Sequence, residues 1–451
     1  MQRVGVKQLI LIIIPIFLEL LLQLLAGNVD KIMVQNDNLA TAINQANSIL
    51  DLLVVTISVL ATASLILINQ YKGSKNREKE VLIYKISFYF NLFISLFLSI
   101  ILLLLAKPSL LLLQVQDNII DDAMLYLMLN GGTLFIQAIM MSLQSFVRSN
   151  DYMKTSLAIS IIFNIINVIL NALFLYVFNI NPILAVALGS IISRTIGVLL
   201  LFLILVFKIK IDISIKGLFP LKIKELKKLI SIGLPAAGES FSYSLSQIVI
   251  LAFINTIGTN GVVINNLELI SAPAAKTYAS MIALVTYLFV NAASQGMQIV
   301  LGRYIGAGEN DLANKLVWKT MFISIIVSEI MSLLFAIFAG FTIGLLTSDI
   351  NVINLCQKIL YIEIALEFGR AINIVMVRAL QTTGDVMFPT TIAIIFCWII
   401  ATLGSYLLGI TFNLGLVGVW IAMSLDEIIR AAIFIFRWKG GKWKNKRIAA
   451  A

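Results

Sequence analysis

Apolar residues run on for about twenty positions at a time along most of this chain. Polar residues fall in the short breaks between runs, or at helical spacing inside them. A helix rises about 1.5 Å per residue, so about 20 apolar residues cross a ~30 Å hydrocarbon core. The pattern predicts spans at about 8–33, 44–69, 82–106, 123–147, 155–178, 183–207, 229–256, 275–301, 316–346, 353–380, 386–410 and 414–437. Alternation over about ten residues, the mark of a spanning β-barrel, is absent. The expected fold class is an all-α polytopic membrane protein with twelve transmembrane helices.

The pattern repeats within the chain. "KQLILIIIPIFLE" (7–19) matches "KKLISIGLPAAGE" (227–239), with prolines at 235 − 15 = 220. "NQYKGSKN" (69–76) resembles "GRYIGAGE" (302–309) at an offset of 304 − 71 = 233. "NDYMKTSLAISIIF" (150–163) resembles "GDVMFPTTIAIIF" (384–396), and Arg194 and Arg430 lie 236 apart. An even number of helices per half brings both halves in from the same side, so the repeat is parallel. The reading divides the chain into a first six-helix lobe (1–207), a polar cytoplasmic linker (208–228), a second six-helix lobe (229–437) and a basic cytoplasmic tail (438–451).

Composition sharpens this picture. The chain is 60% hydrophobic and 12% charged, against about 25% charged in soluble domains. Its net charge of +10 suggests nucleic acid until the charges are located. One alternating set of linking segments holds 26 of the 33 Lys and Arg residues, and the opposite set holds only Lys31, Lys107, Lys276 and Lys358. That asymmetry predicts a multi-pass protein of the cell membrane with both termini cytoplasmic. The basic segments then meet anionic lipid headgroups rather than nucleic acid. The expected partners are the bilayer and small organic cations, and the expected state is a monomer.

Several chemistries are excluded. The chain has no histidine, which removes His-based proton relays and HExxH zinc sites. Cys356 and Cys397 lie in apolar runs and give no disulfide framework. The N-terminal apolar run is too long for a cleavable signal peptide. No GxxxxGK[ST] loop or nucleophile constellation is present, so neither ATP-driven transport nor an enzyme is expected. No cofactor is expected beyond a coupling H⁺ or Na⁺.

A charge at mid-bilayer costs about 2.5–3.5 kcal/mol on insertion scales, so the polar residues inside the spans need partners, water or a function. Glu19 and Asp30 are 11 residues apart; at about 100° per residue they share a helix face, and Gln23 joins them. Asn44, Asn47 and Asp51 repeat the theme in the second span, and Asn164, Asn167 and Asn171 in the fifth. Side-chain oxygens of this kind suit Na⁺, and a desolvated carboxylate suits H⁺; the same asparagines also serve to join helices through hydrogen bonds. In the second half Glu239, Tyr243 and Gln247 form one stripe, and Glu363, Glu367, Arg370 and Asn373 another. Arg370 is placed to pair with Glu367, leaving Glu363 less neutralised. Asp426, Glu427 and Arg430 form a local set. Arg194 looks unpaired, and Glu329 has no partner in the pattern. Tyr243, Tyr287, Phe368 and Trp398 are candidates for cation–π contact with flat cations.

These residues carry a resemblance. "PIFLELLLQLLAGNVDKIMV" resembles the first helix of the multidrug and toxic compound extrusion (MATE) family. "NQYKGSKNREKE" and "GRYIGAGENDLANK" resemble its two Gly-containing cytoplasmic loops. "NIINVILNALFLY" is similar to its fifth-helix Asn motif, and "LEFGRAINIVMVRALQTTGDVMFPTTIAIIFCW" and "GLPAAGESFSYSLSQ" to second-lobe segments of a bacterial branch. The resemblance spans about 8–437. It implies two six-helix lobes, and export of organic cations against Na⁺ or H⁺ by rocking between outward- and inward-open states. Residue by residue it puts Asp30 on the first-lobe carboxylate, Asn167 and Asn171 on the fifth-helix pair, and Ser190 where a sixth-helix Thr ligand is usual. If the coupling ion is Na⁺, Asp30, Asn167 and Asn171 are the implied metal ligands. Some branches carry Asp at the second position, so Asn171 lowers the charge of the site. The seventh-helix acid of another branch is unmatched: Tyr243 stands near its place and the acid is Glu239. The segment 258–274 looks longer than the family's usual connection.

The function expected is a cation-coupled antiporter exporting amphipathic, cationic compounds. Asp30, Asn167, Asn171 and Ser190 would form the coupling-ion site. Glu19, Gln23, Asn47, Asp51, Glu239, Tyr243, Glu363, Glu367 and Arg370 would serve substrate or conformational coupling. The alternative is a flippase for a lipid-linked or other amphipathic substrate, which would want a cationic cavity.

Overall fold

The computed structural model describes residues 3–113, 115–215, 222–259 and 272–448. The long 258–274 connection and the linker's centre therefore lie largely outside the described residues. Among those described there are helices and no strands. They are α1 (Val6–Val34), α2 (Asp37–Gly73), α3 (Arg77–Leu112) and α4, a pair of segments Ile120–Gly132 and Leu134–Ser149. Then come α5 (Met153–Val177), α6 (Pro182–Ile209), α7 (Ile223–Thr259) and α8 (Ala272–Ala307). The last are α9 (Asn310–Ile337), α10 (Ile350–Thr383), α11 (Met387–Thr411) and α12 (Gly415–Lys439).

Among the described residues nine of these helices are long and apolar enough to cross a membrane, and α4, bent by 45°, makes a tenth. The other two, α10 and α12, each carry three charges in mid-helix: Glu363, Glu367 and Arg370, and Asp426, Glu427 and Arg430. The helices that composition alone passes over are thus the two with ion pairs in mid-helix.

Most of the helices start earlier than the apolar runs. α2 begins at Asp37 rather than near 44, because Asn36 caps it: its Oδ1 accepts the backbone N–H of Asn38 at 3.0 Å and of Leu39 at 3.2 Å. Asn181 caps α6 in the same way ahead of Pro182. The expected single span 316–346 is instead α9 followed by a short helix, Ala339–Gly344. The bend in α4 falls at Thr133, whose hydroxyl turns back onto the carbonyl of Leu129 at 2.8 Å.

The chain forms two compact units. One is Ile14–Ala237; the other combines Met1–Ile13 with Gly238–Ala451. The divisions fall within α1 and α7, beside Pro15 and Pro235. Inside each unit the interhelical seams are built from small polar residues. Ser87, Asn91, Ser95 and Ser99 are buried along one face of α3; Thr320, Ser324, Ser328 and Ser332 are buried along one face of α9. Every member of the second set lies 233 residues after its counterpart (320 − 87 = 233). Lipid offers no hydrophobic drive between helices, so close approach and interhelical hydrogen bonds must hold them, as where Asn91 donates to Ser142 at 2.7 Å. Gly369 marks one such close approach to a neighbouring backbone: a Cβ there would stand 2.8 Å from the backbone of Glu427 and Ile428.

After α12 the chain turns at Gly441 (φ 69°) and folds back on its own unit. Trp443 stacks on Trp438 at 4.3 Å and 8°. Lys446 Nζ reaches Asp385 Oδ1 at 2.7 Å, and Arg437 Nε reaches Asp385 Oδ2 at 2.8 Å. Asp385 lies between α10 and α11, with its side chain fully buried.

Candidate ion and substrate site

In the unit Ile14–Ala237, α1 carries Asp30 to within one turn of its C-terminus. The residue is 5% exposed. Asn171 Nδ2 of α5 donates to Asp30 Oδ1 at 2.8 Å. Ser190 Oγ of α6 and Tyr126 Oη of α4 donate to Asp30 Oδ2 at 3.0 and 3.1 Å. Asn167 Nδ2 donates to Ser190 Oγ at 3.1 Å. The four residues assigned to the coupling ion therefore form one connected set. Gly189 makes room for it: a Cβ there would stand 1.9 Å from Asn171 Oδ1.

Every group touching Asp30 is a donor, and the buried Asn171 Oδ1 has no hydrogen-bond partner. These donors take the place of water around the buried carboxyl. A carboxylate has about four acceptor positions and three are filled, so a proton or Na⁺ arriving at Asp30 competes with these donors for the same two oxygens.

The set opens on a cavity of about 430 Å³, within the range of ligand pockets. Gln23, Asn47 and Asp51 line it, as do Asn44, Asn164 and Asn167. Two cations face it: Lys31, which donates to Asn44 at 2.9 Å, and Arg194, which donates to Asn130 at 3.3 Å. Tyr126, Asn130 and Gln137 of α4 line it too, and the sequence reading missed them. The available signal was Tyr126 and Asn130 at i, i+4.

Glu19 shares a helix face with Asp30 but lines no part of this cavity. Its carboxylate is fully buried and pairs with Arg148 Nη2 at 2.8 Å. Gln144 donates to it at 2.8 Å, Ser160 at 3.0 Å and Ser156 at 3.1 Å. Arg148, assigned by sequence to a cytoplasmic break, is instead the buried last turn of α4. The charge pattern counted it as solvated because its partner, Glu19, lies 129 residues away (148 − 19) and the sequence does not signal that pairing.

The other unit holds the remaining candidates. Arg370 bonds Glu367 and also reaches Glu363 Oε1 at 3.2 Å; Trp420 Nε1 donates to Glu363 Oε2 at 2.7 Å. Glu363 is thus neutralised by the same guanidinium, where the intrahelical spacing had favoured Glu367 alone. Arg430 pairs with Asp426 and Glu427 at 2.5 and 3.0 Å. Asn373 donates to the Glu427 carbonyl at 2.8 Å. Glu239 is half-buried and accepts from Thr390 at 3.2 Å. Tyr243 is 45% exposed, and Trp398 donates to Ser242 at 3.0 Å. Glu329 is half-buried, and its Oε1 has no hydrogen-bond partner. Among the described residues no cluster of His, Cys, Asp or Glu could hold a metal.

A polytopic helical protein with buried acids facing an internal cavity has the build of a membrane transporter, and comparison with known proteins gives the family. The MatE family model matches residues 15–173 and 235–407, most of both halves. The chain belongs to the multidrug and toxic compound extrusion family, whose members are transporters and not enzymes. It is 33% identical over 440 residues to the "Uncharacterized transporter YisQ" of Bacillus subtilis (strain 168), covering 96% of this chain and 94% of that one. It is 23% identical to the "Probable multidrug resistance protein NorM" of Thermotoga maritima, covering 98% and 94%. Among solved structures it resembles "Crystal structure of MATE in the bent conformation", with a TM-score of 0.88 at 16% identity over 98% of this chain and 96% of that one. It also resembles an "Outward-facing conformation of a multidrug resistance MATE family transporter of the MOP superfamily", with a TM-score of 0.85 at 16% identity over 97% and 96%. These likenesses establish the twelve-helix, two-lobed fold.

Proposed function

We propose that this protein is a secondary active antiporter that exports amphipathic, positively charged organic compounds in exchange for H⁺ or Na⁺ by alternating access. It would work as a monomer in the cell membrane, with both termini cytoplasmic. The observation that carries this reading is Asp30: a carboxylate bonded by donors from α4, α5 and α6 at the edge of a 430 Å³ cavity. Ion occupancy at such a group has a mechanical consequence. Loss of any of its three bonds frees the end of α1 from a neighbour, and a change there reshapes the cavity that the same helix lines. A ligand can shift a conformational equilibrium only through such differential contacts.

Two acids in the cavity, Asp30 and Asp51, offer a cationic group a counter-charge, and attraction is stronger in a low-dielectric site than in water. Lys31 and Arg194 balance them, so the cavity lacks the net positive charge that the pyrophosphate of a lipid-linked sugar, the substrate of the rival flippase reading, would want. The test is dye transport by the purified protein in proteoliposomes, with H⁺ and Na⁺ gradients imposed separately. Export driven by one gradient supports the reading; export indifferent to both contradicts it.

A further inference from the structure

Arg194 and Arg430 occupy corresponding places in α6 and α12, 236 residues apart. In α12 the arginine is neutralised on its own helix, by Asp426 at i−4 and Glu427 at i−3. The residues at the same offset in α6 are Ser190 (426 − 236) and Ile191 (427 − 236). The two halves share the guanidinium, and only the second carries acids beside it. Among the described residues Arg194 makes one hydrogen bond, to the neutral Asn130 Oδ1 at 3.3 Å, and no ion pair. A guanidinium carries five N–H donors, so most of its capacity is turned to the cavity it lines.

The cavity's other charges are not in the same position. Asp30 accepts three bonds, and Lys31 donates to Asn44. Asp51, on α2, lines the cavity and is exposed to it; among the described residues it accepts no hydrogen bond and joins no ion pair. One cavity therefore presents a guanidinium with a single hydrogen bond and a carboxylate with none, near enough to feel each other's charge but not joined in an ion pair.

We propose that the cavity takes an amphoteric ligand, with an anionic group such as a carboxylate seated on Arg194 and a cationic group on Asp51. Arg194 is then a specificity residue, separating zwitterions from simple organic cations. This rests on the efflux reading above and names the substrate class of that site.

A matched dye pair tests it: an aminoxanthylium (rhodamine-type) dye with a free carboxylate, and its ethyl ester, which keeps the cation and lacks the anion. Binding to the purified protein in detergent is followed by fluorescence anisotropy. The wild type is expected to bind the acid about tenfold tighter than the ester, the order of effect of one charge-assisted contact. Arg194→Gln should abolish that preference and Arg194→Lys should keep part of it. Asp51→Asn should weaken both dyes alike. The wild-type comparison needs no variant to fold. An ester that binds as tightly as the acid, or a preference that survives Arg194→Gln, overturns the proposal. If gradient-driven export of the ester persists in either case, the efflux reading stands alone. If neither dye is bound or exported, both fall together.

Discussion

Asn171 donates its side-chain amide to Asp30 across 2.8 Å, joining α5 to α1 at the rim of the cavity. The contact is neutral on one side, and that sets the charge of the site. Asn171→Asp would place two carboxylates against each other, an arrangement that favours a bound cation. The variant should be stabilised by NaCl relative to choline chloride, by about 1.4 kcal/mol when Na⁺ is tenfold above its Kd. Thermal unfolding in detergent measures this. A variant with no more Na⁺ response than the wild type would show that the pair is not at a cation site.

Gly189 tests the same contact without touching charge. A Cβ at 1.9 Å from Asn171 Oδ1 cannot be accommodated without moving the amide. Gly189→Ala should cost about 1–3 kcal/mol of stability, as overpacking does. It should also lower gradient-driven export about as far as Asn171→Ala does, with both measured per folded protein. Export at the wild-type rate would mean that the amide need not be held on Asp30.

Glu19 should behave differently from Asp30, because its partners make a closed ion-pair network rather than a cavity wall. Arg148→Ala leaves that carboxylate buried and unpaired, at a cost of roughly 3–5 kcal/mol. Glu19→Gln keeps the shape and should cost less. The loss should appear in the unfolding midpoint of the detergent-solubilised protein. Export by the folded fraction of Glu19→Gln should remain gradient-dependent; abolition of gradient dependence at full stability would assign Glu19 to coupling.

Outside the membrane spans, Asp385 gives a pH signature. Burial acts to raise its carboxyl, but hydrogen bonds from Arg437 and Lys446 outweigh burial and hold it below the usual range. A folded value below the unfolded one, about 3.9, gives stability that is present above that pH and lost as pH falls through the folded value. Asp385→Asn should cost roughly 3 kcal/mol near neutrality by breaking a buried pair. The gap from wild type should narrow as the pH falls below about 4. A gap that stays constant down that range would contradict the assignment. Asp212, beyond the end of α6, is likewise held low by hydrogen bonds from Lys85 and Ser214, but it is fully exposed and should add little.

Much of this architecture is written in short-range pattern. The apolar runs, the charge alternation and the repeat gave the helices and their order. Helical spacing picked out Asp30, eleven residues after Glu19, and the i, i+3, i+7 sets that hold Asn47, Asp51 and Asn167 before any coordinates. The partners were harder to read. Tyr126 meets Asp30 across 96 residues and Ser160 meets Glu19 across 141, and the helical spacing of each with its own neighbours says nothing of which distant residue it meets. Glu19 and Asp30 read alike in sequence, since both lie on one face of α1. What separates their surroundings is Arg148, brought to Glu19 by the packing of α4. The helix ends were missed for a local reason: Asn36 and Asn76 extend α2 and α3 past the apolar runs by capping them.

The central claim is that ion occupancy of Asp30 drives transport. Its most direct measurement is the initial rate of dye export from proteoliposomes, wild type against Asp30→Asn, with H⁺ and Na⁺ gradients each imposed alone. The wild type should respond to one gradient, and the variant should lose that gradient-dependent rate by about tenfold or more, equivalent to about 1.4 kcal/mol of coupling. An Asp30→Asn protein that exports dye at the wild-type rate under the same gradient would contradict the account.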